Sequence, residues 1–350
     1  MALRGDIVDP LKDKLILEDL FSHTRLRRPL TIKHLFFFLY FPFGVVLLGI
    51  RLLFLVFAEL LLFPLFRMLR MNTFFYKIYA RMLGVFVVVK GKENWSKNLQ
   101  VLVSNHRSEF DIIALRSLLP VAAVSPLFYK TFIFTRKMVK EINPIFIDYS
   151  NREVIHKNID EHLTGPASKV PILCFPEGAL TNGEQALLLY HKHLFSLERP
   201  IQPLANSVSG PFHNVVNVHH LCTKISHNIF WLLLMPYHVW TVNVLPEQRR
   251  EPTETAEQFA NRIQSMTAAH LGLIPSTFSV RDKAILLRRW TALREGQRFL
   301  LGRKHALAAQ SAILKQQTQA FSTVDGLASP SPSPSPAPIQ TSPIAEHHAD

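Results

Sequence analysis

The sequence predicts an α/β domain behind a membrane-embedded helical hairpin, and three observations predict it. Two short apolar runs, Val101 to Val103 and the run ending at Phe175, each break into a polar turn. That is the pattern of a buried strand feeding a loop at the carboxyl end of a sheet. Residues 35–66 are the most apolar part of the chain. Apolar side chains make up 48% of 350 residues, ample material for one sizeable core.

In chain order, residues 1–34 are mixed polar and apolar, with Arg25, Arg27, Arg28 and Lys33 near the end. They are too long and too charged to front a cleavable signal peptide, so a short, partly ordered cytosolic arm is expected. As one helix, residues 35–66 would run about 48 Å, well past a hydrocarbon core of about 30 Å. Pro42 and Pro64 interrupt them, and Arg51 and Glu59 lie inside, where charge is costly. Basic residues flank both sides, Arg25 to Lys33 before and Arg67 and Arg70 after. The positive-inside rule places both flanks in the cytosol. A half-inserted hairpin over 35–66 satisfies these facts, whereas a spanning helix leaves one basic flank in the lumen.

Residues 72–84 read as a helix leading into a domain of residues 72–275. Val85 to Val89 is a short strand, ended by Lys90-Gly91-Lys92, and residues 94–98 form a polar turn. A helix is predicted over 112–119, and strands over 121–124, 145–147, 203–204, 215–218 and 242–245. Residues 229–240 are too short to span a membrane and read as a core element or an interfacial patch. Thr255 to Leu271 is a helix: Thr255 and Gln258 make a capping box, Phe259, Ile263 and Met266 line one face, and Gly272 stops it. Ser279 with Asp282 opens a basic, helix-compatible segment over 279–320, either membrane-surface or partner-binding, or simply solvated. Residues 322–350 are Ser/Pro-rich and expected to be disordered.

The formal charge of +13 points to an anionic partner: nucleic acid, an anionic membrane face or a CoA-type ligand. The basic residues accompany long apolar stretches, with no zinc-finger spacing and no aromatic-basic RNA motif, so no nucleic acid is expected. Lys130, Arg136, Lys137 and Lys140, interleaved with Phe128, Phe132 and Phe134, read as a lipid-headgroup or CoA-phosphate surface, or as a solvated helix face. Two cysteines, Cys174 and Cys222, imply no disulfide framework and fit a reducing, cytosol-facing domain. The histidines from His191 to His238 follow no metal-ligand spacing, and no metal is expected.

Chemistry concentrates in the first polar turn, Ser104 to Asp111. With His106 in the turn and Asp111 in the first helical turn, the chain can fold the two side chains together. The carboxylate would hold one imidazole nitrogen as N–H and leave the other to accept a proton. A surface His and a helix-capping Asp satisfy the same spacing. Arg107, inside the motif, is a candidate phosphate contact or a solvated Arg.

His106 and Asp111, followed by Phe175-Pro176-Glu177-Gly178, together resemble the glycerolipid acyltransferase superfamily. Its members move a fatty acyl group from acyl-CoA to a hydroxyl of glycerol phosphate or a lysophospholipid. The resemblance implies a mixed sheet flanked by helices. It also implies His106 as general base, Asp111 as its orienting partner, and Glu177 and Gly178 as binders of the acyl acceptor. Ile145 to Asp148 resembles the family's second block, which usually continues with an acceptor-binding Arg; Tyr149 stands there, and the nearest Arg is Arg152. The third block usually continues Thr-Arg; here it reads Ala179-Leu180-Thr181-Asn182-Gly183, closer to the lysophosphatidylcholine acyltransferases. An Arg fork is the expected reader of a phosphate monoester, so these changes weigh against a phosphate-terminated acceptor.

A second resemblance, over about Leu30 to Trp290, is to the ancient ubiquitous protein family. It rests on the hairpin, both motifs, Gln202-Pro203-Leu204 and the segment around Asp282-Lys283-Ala284. That family sits monotopically in the endoplasmic reticulum and on lipid droplets and takes part in degrading misfolded membrane proteins. That family normally carries a ubiquitin-binding CUE module, which would begin about where the Ser-Pro tract lies. The resemblances imply a domain facing the cytosol from the endoplasmic reticulum membrane and lipid-droplet surface, in contact with membrane lipids. Two readings stay open. One is an O-acyltransferase with acyl-CoA as co-substrate, a lysophospholipid-type acceptor and no cofactor. The other is a non-catalytic scaffold of lipid droplets and endoplasmic-reticulum-associated degradation, with the degradation machinery as partner.

Overall fold

The computed structural model describes residues 15–69, 71–126, 145–147, 152–165 and 170–296. The basic-aromatic stretch 128–140, Asp148, Tyr149 and the segment beyond 296 lie outside them.

The expected hairpin over 35–66 is corrected to one continuous helix, α1 (Ile32–Met68). Pro42 sits inside its α-helical part, Ile32–Phe57, and removes one backbone donor. A π-helical turn, Ala58–Leu62, comes immediately before Pro64 and takes up the second interruption. Packing outweighs both prolines. Phe37, Gly44, Leu48, Arg51, Ala58 and Phe63 form a buried stripe along the rod. Phe36, Leu39, Phe43, Val46, Ile50 and Leu53 on the remaining faces are exposed. The chain reverses only after Met68, into α2 (Asn72–Met82). There Phe63 meets Phe75 and Phe54 meets Tyr79, as in an antiparallel pair. Arg51 is not at membrane depth alone: its guanidinium turns inward onto domain carbonyls.

The domain continues through β1 (Val85–Lys90), β2 (Val101–Ser104), α3 (Asp111–Arg116), β3 (Ala122–Pro126), β4 (Ile145–Ile147) and α4 (Arg152–Thr164). Then come β5 (Ile172–Cys174), β6 (Ala186–Leu187), β7 (Ile201–Ser209), α5 (Ile225–Leu234), β8 (His238–Val244), α6 (Ala256–Leu271), β9 (Ile274–Pro275) and α7 (Val280–Gly296). Seven strands form one sheet in the order β1-β8-β7-β2-β5-β3-β4. Among the described strands of this sheet only β7 and β8 pair antiparallel, so the sheet is mixed. Alternation along β2 splits the core. Val101 and Val103 pack with Ile159 and Leu163 of α4 and with Phe259 and Ile263 of α6. Leu102 faces the other way, toward Leu115, Leu173, Leu204 and Val242.

α6 begins as expected: Thr255 N–H donates to Gln258 Oε1 at 2.8 Å, and Gln258 N–H donates to Thr255 Oγ1 at 3.2 Å. Two local expectations are corrected. Residues 215–218 are not a strand but a loop, with one bridge from Val216 to Leu26. Residues 229–240 are not one element, because Pro236 separates α5 from β8. The N-terminal arm is more than a tail. Leu15, Leu20 and Phe21 are buried with Leu188 and Leu286, and His23 stacks on Trp290 at 4.4 Å. Residues 15–28 thus form a strap across the domain, leading directly into α1.

Candidate active site

β2 and β5 are parallel neighbours in the register Val103↔Cys174, so both polar turns leave the same end of the sheet side by side. This topology brings together motifs about seventy residues apart. β7 flanks β2 on its other side, and the two are stitched beneath the site. Asn105 Nδ2 donates to the Asn206 carbonyl at 2.9 Å, and Asn206 N–H returns to Asn105 Oδ1 at 2.7 Å.

Asp111 opens α3 with its carboxylate buried. Oδ2 accepts from His106 Nδ1 at 2.9 Å, Arg107 N–H at 2.6 Å and Ser108 N–H at 2.9 Å. Oδ1 accepts from Trp240 Nε1 at 2.8 Å. A carboxylate is an acceptor only, so His106 Nδ1 carries the hydrogen of this contact. The imidazole lies flat on Phe175, centroids 4.1 Å apart and 14° between planes. Its side chain stays 21% exposed, and Nε2 makes no hydrogen bond to any described residue. The site therefore holds one oriented, partly exposed imidazole whose second ring nitrogen is unengaged among the described residues.

Glu177 occupies a different place from the one the motif implies. Its side chain does not line an open acceptor pocket; the residue is fully buried. Oε1 accepts from His106 N–H at 2.8 Å and Oε2 from Leu188 N–H at 2.9 Å. The carboxylate ties the His106 turn to the end of β6. Gly178, beside it, is exposed at the rim with φ +66°. Arg152 begins α4, and its side chain lies outside the described ones. Arg107 is drawn into the protein beside Gly183 rather than solvated, with two guanidinium nitrogens buried.

Burial raises the Glu177 carboxyl from 4.5 to about 7, against the pull of its two N–H donors, Arg107 and Lys283. The folded state then holds a proton that the unfolded state has released between those values. Stability must fall as pH rises from about 4.5 through about 7, by up to about 1.4 kcal/mol per pH unit. Denaturant melts from pH 5 to 8, parent against Glu177→Gln, check this: the difference between the two curves should slope downward for the parent. A flat difference would remove the assignment.

Three contributors had little signature in the sequence. Trp240 and Asn206 come from distant strands, and nothing local marks them. Lys283 was visible only as part of Asp282-Lys283-Ala284. Its Nζ donates to the Leu180 carbonyl at 2.6 Å and lies 4.9 Å from the Phe21 ring, and burial draws the amine down to about 8. Asp282 accepts from Ser279 N–H at 2.7 Å, the cap that aims this helix. Close by, His219 Nδ1 lies 2.7 Å from Glu109 Oε2, and Asn228 Nδ2 donates to Oε1 at 3.0 Å. Burial pushes the Glu109 carboxyl up, but His219 and these hydrogen bonds outweigh it and leave the group below its ordinary range.

Comparison with known proteins places this geometry in context. The Acyltransferase family matches residues 86–207, which contain both polar turns and most of β7. The chain is 29% identical over 256 residues to Lipid droplet-regulating VLDL assembly factor AUP1 of Xenopus laevis, covering 72% of this chain and 61% of that protein. It is also 29% identical over 207 residues to human Glycerol-3-phosphate acyltransferase 4, covering 57% of this chain and 44% of that one. The match thus spans less than two thirds of either relative's length. Among solved structures, the 1-acyl-sn-glycerophosphate acyltransferase PlsC of Thermotoga maritima is similar, with a TM-score of 0.45 at 17% identity, over 69% of this chain and 95% of that chain.

Proposed function

We propose, from the acyltransferase-family domain in residues 86–207, that this chain is a membrane-bound O-acyltransferase using acyl-CoA and a lysophospholipid or glycerol-phosphate-type acceptor. The observation that carries the reading is the His106–Asp111 pair with Nε2 unengaged at the surface. His106 Nε2 takes the proton from the acceptor hydroxyl as that oxygen attacks the thioester carbonyl carbon. The carbon–sulfur bond then breaks, and the CoA sulfur leaves with the proton returned by the imidazolium. Asp111 holds the tautomer and balances the imidazolium charge, while Phe175 fixes the ring plane. Glu177 sets the His106 backbone, and Gly178 at the rim leaves room for the acceptor. Arg107 and Arg152 are the candidate arginines for substrate charge. α1, apolar and exposed on all but its docked stripe, is the membrane anchor of a cytosol-facing domain at the endoplasmic reticulum and lipid droplets.

A second reading is a scaffold of lipid droplets and of endoplasmic-reticulum-associated degradation; its lipid-droplet part is supported by the Xenopus laevis relative, whose name describes droplet regulation and lipoprotein assembly. One assay separates the two. Purified protein is given labelled acyl-CoA with a panel of lysolipids and glycerol 3-phosphate, beside His106→Ala. Transfer by the parent and none by the variant supports the enzyme. No transfer, or equal transfer by both, supports the scaffold.

A further inference from the structure

We propose that the open edge of the sheet is a second lipid contact. Phe86, Val88 and Tyr237, with the exposed cations Arg81 before β1 and Lys90 at its end, seat this edge in the headgroup layer of an anionic phospholipid surface. The inference rests on α1 as the membrane anchor and goes beyond it, because it fixes which side of the domain faces the lipid.

Among the described strands, β1 is an outermost one and pairs only with β8. Its side chains alternate. Val85 is buried with the α1 stripe, while Phe86 and Val88 point to the opposite face and are 44% and 45% exposed. Tyr237, 43% exposed, meets the Phe86 ring edge-on at 6.0 Å. Soluble domains normally blunt an edge strand with charge, but the middle of this one carries Phe and Val side chains outward.

The position of the patch says what covers it. Beyond α2, the exposed large apolar side chains among the described residues are Phe86, Val88, Phe230, Tyr237, Ile285 and Leu287. Phe86, Phe230 and Tyr237 border the anchor. Gly84, two residues before Phe86, and Pro236, next to Tyr237, both pack on Arg51 of α1. Trp231, next to Phe230, packs on Phe37 and Phe41. The exposed faces of α1 thus continue onto the domain. The backbone limits the depth. An open strand edge leaves amide groups without strand partners, which hydrocarbon does not tolerate and hydrated headgroups do. A tyrosine at that level keeps its hydroxyl in water and its ring in lipid. The charged side chains of residues 72–94 are all exposed: Lys77, Arg81, Lys90 and Lys92 against Glu93. That excess of positive charge suits anionic headgroups.

The test uses the full chain in vesicles of phosphatidylcholine and phosphatidylserine, with nitroxide lipids that quench a fluorophore from the headgroup or from mid-chain. The fluorophore is placed on Val88→Cys, on Leu53→Cys of the outer face of α1, or on Glu161→Cys of α4, each in a Cys222→Ser background. Burial pushes the Cys174 thiol up to about 12 and keeps it from labelling. Glu161 is exposed, and α4 packs beside β4, six strand spacings or about 29 Å from β1. The Val88 label is expected to lose most of its fluorescence to the headgroup nitroxide and less to the mid-chain one. The Leu53 label should lose most to at least one of them, and the Glu161 label should keep its fluorescence with both. In Arg81→Glu/Lys90→Glu, the loss at Val88 should shrink toward that at Glu161 while the loss at Leu53 holds. An unchanged loss there would strike anionic headgroups as the partner. An unquenched Val88 label beside a quenched Leu53 label would overturn the edge contact and leave the anchor. A quenched Val88 label beside an unquenched Leu53 label would remove the anchor and leave the edge contact. Equal quenching at all three sites would overturn it, as would disulfide dimers of Val88→Cys in the vesicles, which assign the edge to a second copy of the chain.

Discussion

Asp111→Ala is expected to lower acyl transfer roughly 1,000- to 10,000-fold and to cost about 3–5 kcal/mol of stability. Both effects come from one carboxylate. Four N–H groups converge on it, from His106, Arg107, Ser108 and Trp240. Removing it leaves these donors facing an apolar hole, and a buried donor without a partner costs about 1–3 kcal/mol. The imidazole loses the acceptor that holds Nδ1 as N–H and the charge that balances an imidazolium. Asp111→Asn separates the two effects. Its amide oxygen can face His106, Arg107 and Ser108, leaving its NH₂ against Trp240 Nε1. Most of the fold survives that single mismatch, at about 1–3 kcal/mol, but transfer still falls because the charge has gone. Denaturant midpoints and initial rates on the same preparations check this. A stable Asp111→Ala protein within tenfold of parental rate would sink the proposed dyad.

Arg51→Met is expected to cost about 3–5 kcal/mol without weakening membrane attachment. The guanidinium donates to four carbonyls that no other described side chain reaches: Met82 at 3.3 Å, Leu233 at 2.6 Å, Met235 at 2.5 Å and Pro236 at 2.7 Å. Hydrogen bonds to a charged donor are worth about 1.5–3 kcal/mol each, though their sum is not additive. Met keeps the apolar stem and removes a charge, so lipid affinity should hold or rise. Gly84→Ala should produce the same loss by another route, since a Cβ there would fall 2.1 Å from Arg51 Nη2 at a φ of +79°. Denaturant unfolding in detergent reads the first effect, and liposome flotation the second. Parental stability in both variants would mean that the helix is held by its apolar stripe alone.

The two turns were legible in the sequence because their signals are local: an apolar run, a break, and polar residues at short spacing. The α6 cap and its glycine stop were legible for the same reason. α1 was misread because proline and charge were weighed as if the helix stood alone in lipid. Against the domain, Arg51 finds carbonyls and the stripe from Phe37 to Phe63 finds a surface. Trp240 lies 129 positions from Asp111, and only the strand order brings them together. The motif marks Glu177 as important but says nothing of its burial. In the fold its buried carboxylate braces two loops.

α1 touches its own domain almost from end to end, from Phe37 on Phe212 to Phe66 on Phe74. A rod gripped along its whole length cannot be threaded through a bilayer unless the domain follows it. Its apolar outer faces stay exposed while the inner stripe stays seated, so whatever covers those faces must do so with the domain held against it.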